Sequence, residues 1–220
     1  MKIIDFRVRP PYKTIKESYL FDNDNYARTF GGHWQESAAQ KSMDLLIKEM
    51  DAWNIVKGIA PTRKLYHNDN HDLIDLLTEY PDRFIGVPNI DPLDGPDALD
   101  EIDELVVNGP CSAIILESGI AGMGIGAATG AECLTDHGKW IYPIYEKCQT
   151  ENIPVLFTCS CLAYPACDVN IPNHIDQVAA DFPNLKMVIC HGGWPWAQAT
   201  CGIAVKRPNV WLSPDRKSVV

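Results

Sequence analysis

Side chains that can do chemistry recur in this sequence at the points where apolar runs end. Two arginines, Arg7 and Arg9, follow the apolar start of the chain, and Glu117 ends the run AIILE. A histidine, His191, stands between the apolar run LKMVIC and a double glycine. Arginine binds carboxylates through paired hydrogen bonds, and histidine exchanges a proton near neutral pH. These residues predict binding of a small carboxylate, with His191 and Glu117 as the acid–base groups.

Each of these residues also has a structural interpretation. Arg7 and Arg9 could form interior ion pairs with acidic side chains, because a buried guanidinium requires a partner. Glu117 could be a solvated strand end. Thr158 and Trp194 are further candidates for binding the substrate, although both residue types also fit simple packing.

Apolar runs alternate with helix-like segments along the chain. The strand-like runs are IIDFRV, NIVKGIAP, RFIGVPNI, CSAIILES, IPVLFTC, LKMVICH and NVWLS. Stretches such as SAAQKSMDLLIKEMDAW lie between them and place apolar residues at helical spacing. Strands that alternate with helices predict a parallel sheet. The carboxyl edge of such a sheet is where α/β folds build their sites.

The opening run shows how a barrel would use both faces of a strand. Alternation places Ile4, Phe6 and Val8 on one face and Asp5, Arg7 and Arg9 on the other. In a barrel the outer face packs on helices and is apolar, while the inner face can carry polar groups near the carboxyl end. We therefore expect the two arginines to point into a barrel.

The sequence resembles the amidohydrolase-related (amidohydrolase 2) family. The likeness lies in the Ile-Asp start of the first strand, in MVICHGGWPW, where the sixth strand ends in His-Gly-Gly-x-Pro-Trp, and in NVWLS as the seventh strand. It spans nearly the whole chain. Members are metal-dependent TIM-barrel hydrolases and decarboxylases, including the aminocarboxymuconate semialdehyde decarboxylase group. The resemblance implies an α/β fold of the (β/α)8 TIM-barrel type, in one domain over residues 1–220, and hydrolase or carboxy-lyase activity.

Several positions depart from the family pattern. The resemblance implies His-x-His on the first strand, where Arg7 and Arg9 stand, and arginine stays protonated and cannot bind a metal. It implies a metal-binding histidine at the end of the fifth strand, where Thr158 stands. Only His191 of the usual set is present, as an acid–base or outer-sphere group. The family implies a divalent metal such as zinc, but we expect no metal site here.

The chain ends shortly after the seventh strand, so we expect a barrel of about seven strands that lacks its last β/α portion. Two functions then remain open. The first is an enzyme on a small carboxylated or cyclic substrate, with Arg7 and Arg9 binding the carboxylate. The second is an inactive or truncated family member that acts as a non-catalytic binding or oligomerising protein. An open apolar edge predicts self-association.

Composition excludes several classes of protein. The net charge of −10 argues against a surface for nucleic acid or anionic membranes. The sequence contains no run of about 20 apolar residues, so no membrane span is expected. Charged residues near the start of the chain interrupt the apolar region that a signal peptide would need. Without a secretory signal, the eight cysteines are expected to be mostly buried thiols in a reducing compartment, which favours the cytoplasm.

Two further segments could be mistaken for sites. Cys159, Cys161 and Cys167 lack the paired spacing of a structural zinc site. The stretch GIAGMGIGAATG at residues 119–130 matches neither nucleotide-binding fingerprint. It predicts instead a flexible loop after the fourth strand.

Overall fold

A computed structural model describes residues 1–18, 21, 35–117, 138–159 and 173–214. The chain divides into two compact units, Met1–Asn89 (unit 1) and Ile90–Val220 (unit 2). The stretch at 119–130, Cys161 and Cys167 lie outside the described residues, so the expectations for them stay predictions.

Unit 1 contains a parallel sheet of three strands. These are β1 (Ile3–Asp5), β2 (Ile55–Pro61) and β3 (Phe84–Val87), hydrogen-bonded in that order. Its described α-helices are α1 (Glu36–Ala39), α2 (Met43–Ala52) and α3 (Asp72–Glu79). Helix α2 begins after Ser42, whose hydroxyl accepts a hydrogen bond from the backbone N–H of Leu45 and so caps the helix.

Unit 2 contains a parallel sheet of four strands. These are β4 (Ile114–Leu116), β5 (Val155–Thr158), β6 (Met187–Cys190) and β7 (Val210–Ser213), again in chain order. Its described α-helices are α4 (Pro96–Ile102), α5 (Gly138–Thr150), α6 (Asn173–Asp181) and α7 (Ala197–Lys206). No described helix has the length and apolar character needed to cross a membrane. The predicted α/β class, with parallel strands alternating with helices, is confirmed.

The opening run differs from its prediction. Strand β1 ends at Asp5, and Phe6 and Arg7 form a turn in which the Arg7 N–H donates to Asp5 Oδ1 at 3.1 Å. Pairing with β2 resumes at Val8, which is buried. The expected unbroken alternation is therefore wrong, and so is the expected burial of Ile4, which is 58% exposed. The turn interrupts the period of two on which the prediction relied.

The four-stranded sheet of unit 2 has one wholly apolar face. Alternate strand residues, from Ile114 on β4 to Val210 on β7, pack with helix side chains such as Tyr145 and Val178 in one buried cluster. The other members contributed by the strands are Leu116, Val155, Phe157, Met187 and Ile189. Since side chains alternate between faces, the remaining strand residues lie on the opposite face. The expected apolar, helix-packed face is confirmed for this sheet.

The NVWLS run begins with a buried asparagine, Asn209, directly before strand β7. The side-chain amide of Asn209 donates to the backbone carbonyls of Ala179, Phe182 and Leu185, at 3.3, 3.0 and 3.1 Å. These carbonyls lie at the end of α6 and in the turn that follows it. Unsatisfied helix-end carbonyls are costly when buried, so Asn209 holds the end of α6 against the start of β7.

An ion pair between α6 and the end of α7 makes stability depend on pH. Asp176 accepts hydrogen bonds from Arg207 Nε at 2.6 Å and from Lys206 Nζ at 2.8 Å. The Arg207 bond, then the Lys206 bond, lowers the pKa of Asp176 to about 2. A lowered folded-state pKa adds stability above the unfolded pKa, and this stability is lost as pH falls through about 2.

We therefore expect Asp176→Asn to lower the free energy of unfolding by about 1 kcal/mol at pH 7, because solvent screens this partly exposed pair. The difference from the wild type should shrink as pH falls from about 4 towards 2, measured by urea unfolding. Asp100→Asn, which changes an exposed carboxylate, is the control. An undiminished difference near pH 2 would contradict the assignment.

Candidate functional site

Four side chains share one row at the carboxyl edge of the unit 2 sheet. Thr158 lies opposite Cys190, and Cys190 lies opposite Ser213. Leu116 lies opposite Phe157, so the next residue on β4, Glu117, continues the row beside Thr158. Partners in a parallel register point to the same face, here the face opposite the helix-packed core. We call Glu117, Thr158, Cys190 and Ser213 the edge row.

The first two members of the edge row are in contact. The Thr158 hydroxyl donates to Glu117 Oε1 at 3.4 Å, which is a long and therefore weak hydrogen bond. The two residues are 3% and 6% exposed. A carboxylate held at a buried strand end beside a hydroxyl is able to take a proton or to accept a hydrogen bond from a ligand. Glu117 directly follows the last residue of β4, Leu116, and its predicted acid–base role stays a prediction.

His191 follows the edge row directly and has an unusual backbone. The strand β6 ends at Cys190, and His191, Gly192 and Gly193 have φ angles of 62°, 59° and 67°. The left-handed region is uncommon for a residue other than glycine and concentrates at functional sites. A Cβ on Gly193 would overlap the side chain of Thr200, so the second glycine is required by packing as well as by φ. The turn fixes a buried imidazole, 5% exposed, at the carboxyl edge.

Three further predicted site residues, Arg7, Arg9 and Trp194, are not members of the edge row. Arg7 and Arg9 lie in unit 1, in and after the turn that ends β1, and the Nε and Nη2 atoms of Arg7 are buried. Their expected role in binding a carboxylate stays a prediction. Trp194 is half-buried in unit 2, and its backbone N–H donates to the His191 carbonyl at 3.1 Å. Of the six predicted residues, the structure brings Glu117 and Thr158 into contact and places His191 at the same sheet edge.

The structure also contains a polar network that the sequence analysis missed. At the carboxyl ends of β2 and β3, the Asn89 N–H donates to Thr62 Oγ1 at 3.0 Å and to Asn70 Oδ1 at 3.1 Å. The Asn70 side-chain amide donates back to the Asn89 carbonyl at 2.9 Å. All three residues are buried. The signal in the sequence was Asn89 after an apolar run, whereas nothing in the sequence marks Asn70 as its partner.

Burial raises the pKa of three of the buried cysteines. Among the described cysteines, Cys111, Cys148, Cys159 and Cys190 are buried and Cys201 is exposed. Burial raises the pKa of Cys111 and Cys148 to about 12, and it raises the pKa of Cys159 well above its usual value. Reactive cysteines are thiolates, and burial disfavours the thiolate form of Cys111, Cys148 and Cys159. The expectation of mostly buried thiols is confirmed for the described residues.

The residues present do not fit the divalent metal that the family resemblance implies. Arg7, Arg9 and Thr158 stand at three of the implied ligand positions, and none of them is a usual metal ligand. Within the described ranges, no group of three or more His, Cys, Asp or Glu side chains is placed to hold an ion. No step of the chemistry below therefore runs through a metal.

We expect purified protein to contain well under one equivalent of transition metal, because too few neutral imidazoles and carboxylates converge to bind it tightly. Elemental analysis after dialysis against a chelator measures this directly. Zinc or manganese retained at one equivalent would contradict the expectation, and would point to ligands such as Cys159, Cys161 or His191.

Comparison with known proteins gives similarities across most of the chain. The sequence model of the amidohydrolase family matches residues 34–215. The crystal structure of an uncharacterised TIM-barrel protein from Bordetella bronchiseptica shares 30% sequence identity with a TM-score of 0.82, covering 98% of this chain and 75% of that one. No match is found among curated proteins.

Two more distant structures share the fold. One is 4-oxalomesaconate hydratase from Rhodopseudomonas palustris, at 20% identity and a TM-score of 0.62, covering 96% of this chain and 73% of that one. Another is manganese-bound 5-carboxyvanillate decarboxylase from Novosphingobium aromaticivorans. It shares 18% sequence identity at a TM-score of 0.59, and the match covers 94% of this chain and 72% of that one. The predicted TIM-barrel type of fold is confirmed, and the described part of the chain contains seven strands.

Proposed function

Because the chain belongs to the amidohydrolase family, we propose that it is an enzyme that hydrolyses or decarboxylates a small carboxylated or cyclic substrate. The observation that carries this proposal is the edge row followed directly by His191. It joins a buried carboxylate, a hydroxyl and an imidazole at the carboxyl edge of a parallel sheet, where TIM barrels build their active sites.

His191 is the proposed general acid and base. An imidazole holds or releases a proton near neutral pH, and proton transfer by a positioned side chain is effective when its pKa is close to the working pH. In hydrolysis His191 takes a proton from the attacking water and returns it to the leaving group. In decarboxylation it delivers a proton to the carbon that loses CO2. Glu117 orients the substrate or acts as the second base, and Thr158 and Trp194 contact the substrate.

The proposed substrate class has two sources of support. The structural neighbours include enzymes named for carboxylated compounds, 4-oxalomesaconate and 5-carboxyvanillate. Arg7 and Arg9 of unit 1 provide two permanent positive charges, and guanidinium groups match the geometry of a carboxylate. We propose that these two arginines bind a carboxylate group of the substrate.

A substrate panel tests the proposal. Wild-type protein is incubated with ring-bearing and short-chain carboxylates, and mass spectrometry and CO2 detection record hydrolysis and decarboxylation. Conversion of at least one compound is expected. A complete lack of conversion across the panel, by protein with an intact melting transition, would overturn the proposal.

A second candidate is a catalytically inactive family member that binds a small molecule or associates with itself. The observation that favours it is the pair Arg7 and Arg9 at positions where the resemblance implies two histidine ligands. This candidate predicts that the same panel contains compounds that bind without being converted. Self-association itself stays a prediction, which sedimentation at micromolar protein concentration would measure.

A further inference from the structure

We propose that Thr14 is a positioning residue for ligand binding, because it fixes the chain segment that carries Arg9 to helix α3. The inference rests on the proposed function, in which Arg9 binds the substrate carboxylate, and it adds the contacts that hold Arg9 in place. All of these contacts lie within unit 1. We call residues 12–14, which bond α3, the clasp segment.

The first two residues of the clasp segment bond carboxylates on α3. The Tyr12 hydroxyl donates to Glu79 Oε2 at 2.8 Å, and Lys13 Nζ forms an ion pair with Asp75. The two carboxylates are four residues apart, so they lie on one face of the helix. The backbone φ of Lys13 is 38°, a left-handed value that is uncommon for a residue other than glycine. Such a backbone persists where surrounding contacts hold it, and the bonds to α3 are contacts of this kind.

Thr14 bonds the start of α3 through its hydroxyl and its backbone. The hydroxyl and the backbone N–H both donate to Asp72 Oδ2, the N–H at 2.9 Å. The same hydroxyl accepts from the Asp69 N–H at 2.9 Å, and the Thr14 carbonyl accepts from Asn68 Nδ2 at 3.0 Å. Asp72 is 7% exposed, and it lies one turn before Asp75 on the same face of α3. A buried carboxylate requires hydrogen-bond donors, and Thr14 provides two of them.

Arg9 lies between the clasp segment and a second fixed point of the chain. On one side Val8 is buried, and its N–H donates to the carbonyl of Ile59 on β2 at 2.8 Å. On the other side Pro10 fixes its own φ and restricts the preceding residue, Arg9, to extended backbone. Pro10 is buried and comes shortly before Thr14. A displaced Thr14 would therefore displace Arg9, and the paired hydrogen bonds of a guanidinium to a carboxylate depend on its position.

Thr14→Val tests the inference, because valine has the shape of threonine without the hydroxyl. Calorimetric titration with benzoate should give a dissociation constant roughly three- to tenfold above that of the wild type, as loss of one or two hydrogen bonds predicts. Thr14→Ser keeps the hydroxyl and should bind benzoate as the wild type does. On a panel compound that the protein converts, Thr14→Val should raise KM and leave kcat unchanged, because it weakens binding alone.

Thr78→Val is the matched control. Thr78 is an exposed residue of α3 whose hydroxyl bonds the Ile74 carbonyl at 2.7 Å. Its replacement removes a hydroxyl from the same helix and should leave benzoate affinity unchanged. Each variant is titrated well below its melting transition, so that a lowered stability alone does not change the affinity.

Tyr12→Phe provides a second variant, which keeps the test open if Thr14→Val folds poorly. It removes the bond to Glu79 and should weaken benzoate binding in the same direction by a smaller factor. The measurement is the same calorimetric titration.

Thr14→Val that binds benzoate as the wild type does overturns the inference, and so does an equal loss of affinity in Thr78→Val. Failure of Thr14→Ser to recover the affinity also overturns it, because the hydroxyl is then not the group that acts. If Thr14→Val has no effect while Arg9→Met loses binding, this inference fails and the proposed function stands. If the wild type binds no benzoate, the inference and the role of Arg9 are both wrong, and the substrate panel decides the enzyme function separately.

Discussion

Replacing His191 by asparagine is expected to lower turnover by a factor of about 10² to 10⁴, the usual contribution of a positioned general acid or base. Substrate affinity should change little, because the imidazole acts in the proton-transfer step. Asparagine is the suitable replacement because it tolerates the left-handed backbone that His191 adopts, with φ of 62°. The measurement is kcat and KM on whichever panel compound the wild type converts.

His71→Asn provides the control for this experiment. His71 is an exposed histidine of unit 1 that contacts Asp69, so its replacement removes an imidazole far in sequence from the edge row. Turnover by this variant should equal that of the wild type. Full activity of His191→Asn would show that His191 is not the acid–base group, and a shifted melting temperature together with lost activity would assign it a structural role.

Arg9→Met is expected to abolish binding of carboxylates while leaving the fold intact. A charge-assisted hydrogen bond contributes about 1.5–3 kcal/mol, so losing one or two such bonds weakens binding by roughly 10²-fold or more. Methionine resembles the aliphatic part of the arginine side chain and removes its charge and donors. Calorimetric titration with benzoate measures the affinity, and thermal unfolding checks the fold.

Arg83→Met is the matched control, because it removes the same charge from unit 1. The Arg83 guanidinium already contacts Asp51, at 2.9 Å, and is not a proposed ligand-binding group. Its loss should leave benzoate affinity unchanged. If Arg9→Met unfolds the protein and no carboxylate raises the melting temperature of the wild type, the arginines are structural and the enzyme proposal should be dropped.

The edge row could be predicted from the sequence because strand periodicity is a local property. Once AIILE and PVLFT are assigned as strands, alternation alone places Glu117 and Thr158 on the face opposite the apolar core. The structure adds the register that brings them into contact. The place of Ser213 in this row could not be predicted in the same way, because it depends on the register of β7 against β6.

Contacts between distant segments could not be predicted in this way. The network of Thr62, Asn70 and Asn89 joins residues up to 27 positions apart, and each residue alone fits a turn or a cap. Asn209 is a similar case, since its three carbonyl partners become visible only when α6 and β7 are packed together. The early end of β1 depends on a side chain that bonds its own neighbouring backbone, Asp5 to Arg7, which competes with the strand.

The most direct test of the central claim is a crystal structure of the protein with a compound from the substrate panel bound. We predict the ligand at the carboxyl edge of the four-stranded sheet, in contact with Glu117, Thr158 and His191. A ligand that occupies only another surface, with Glu117, Thr158 and His191 contacting protein alone, would contradict the assignment of this edge as the active site.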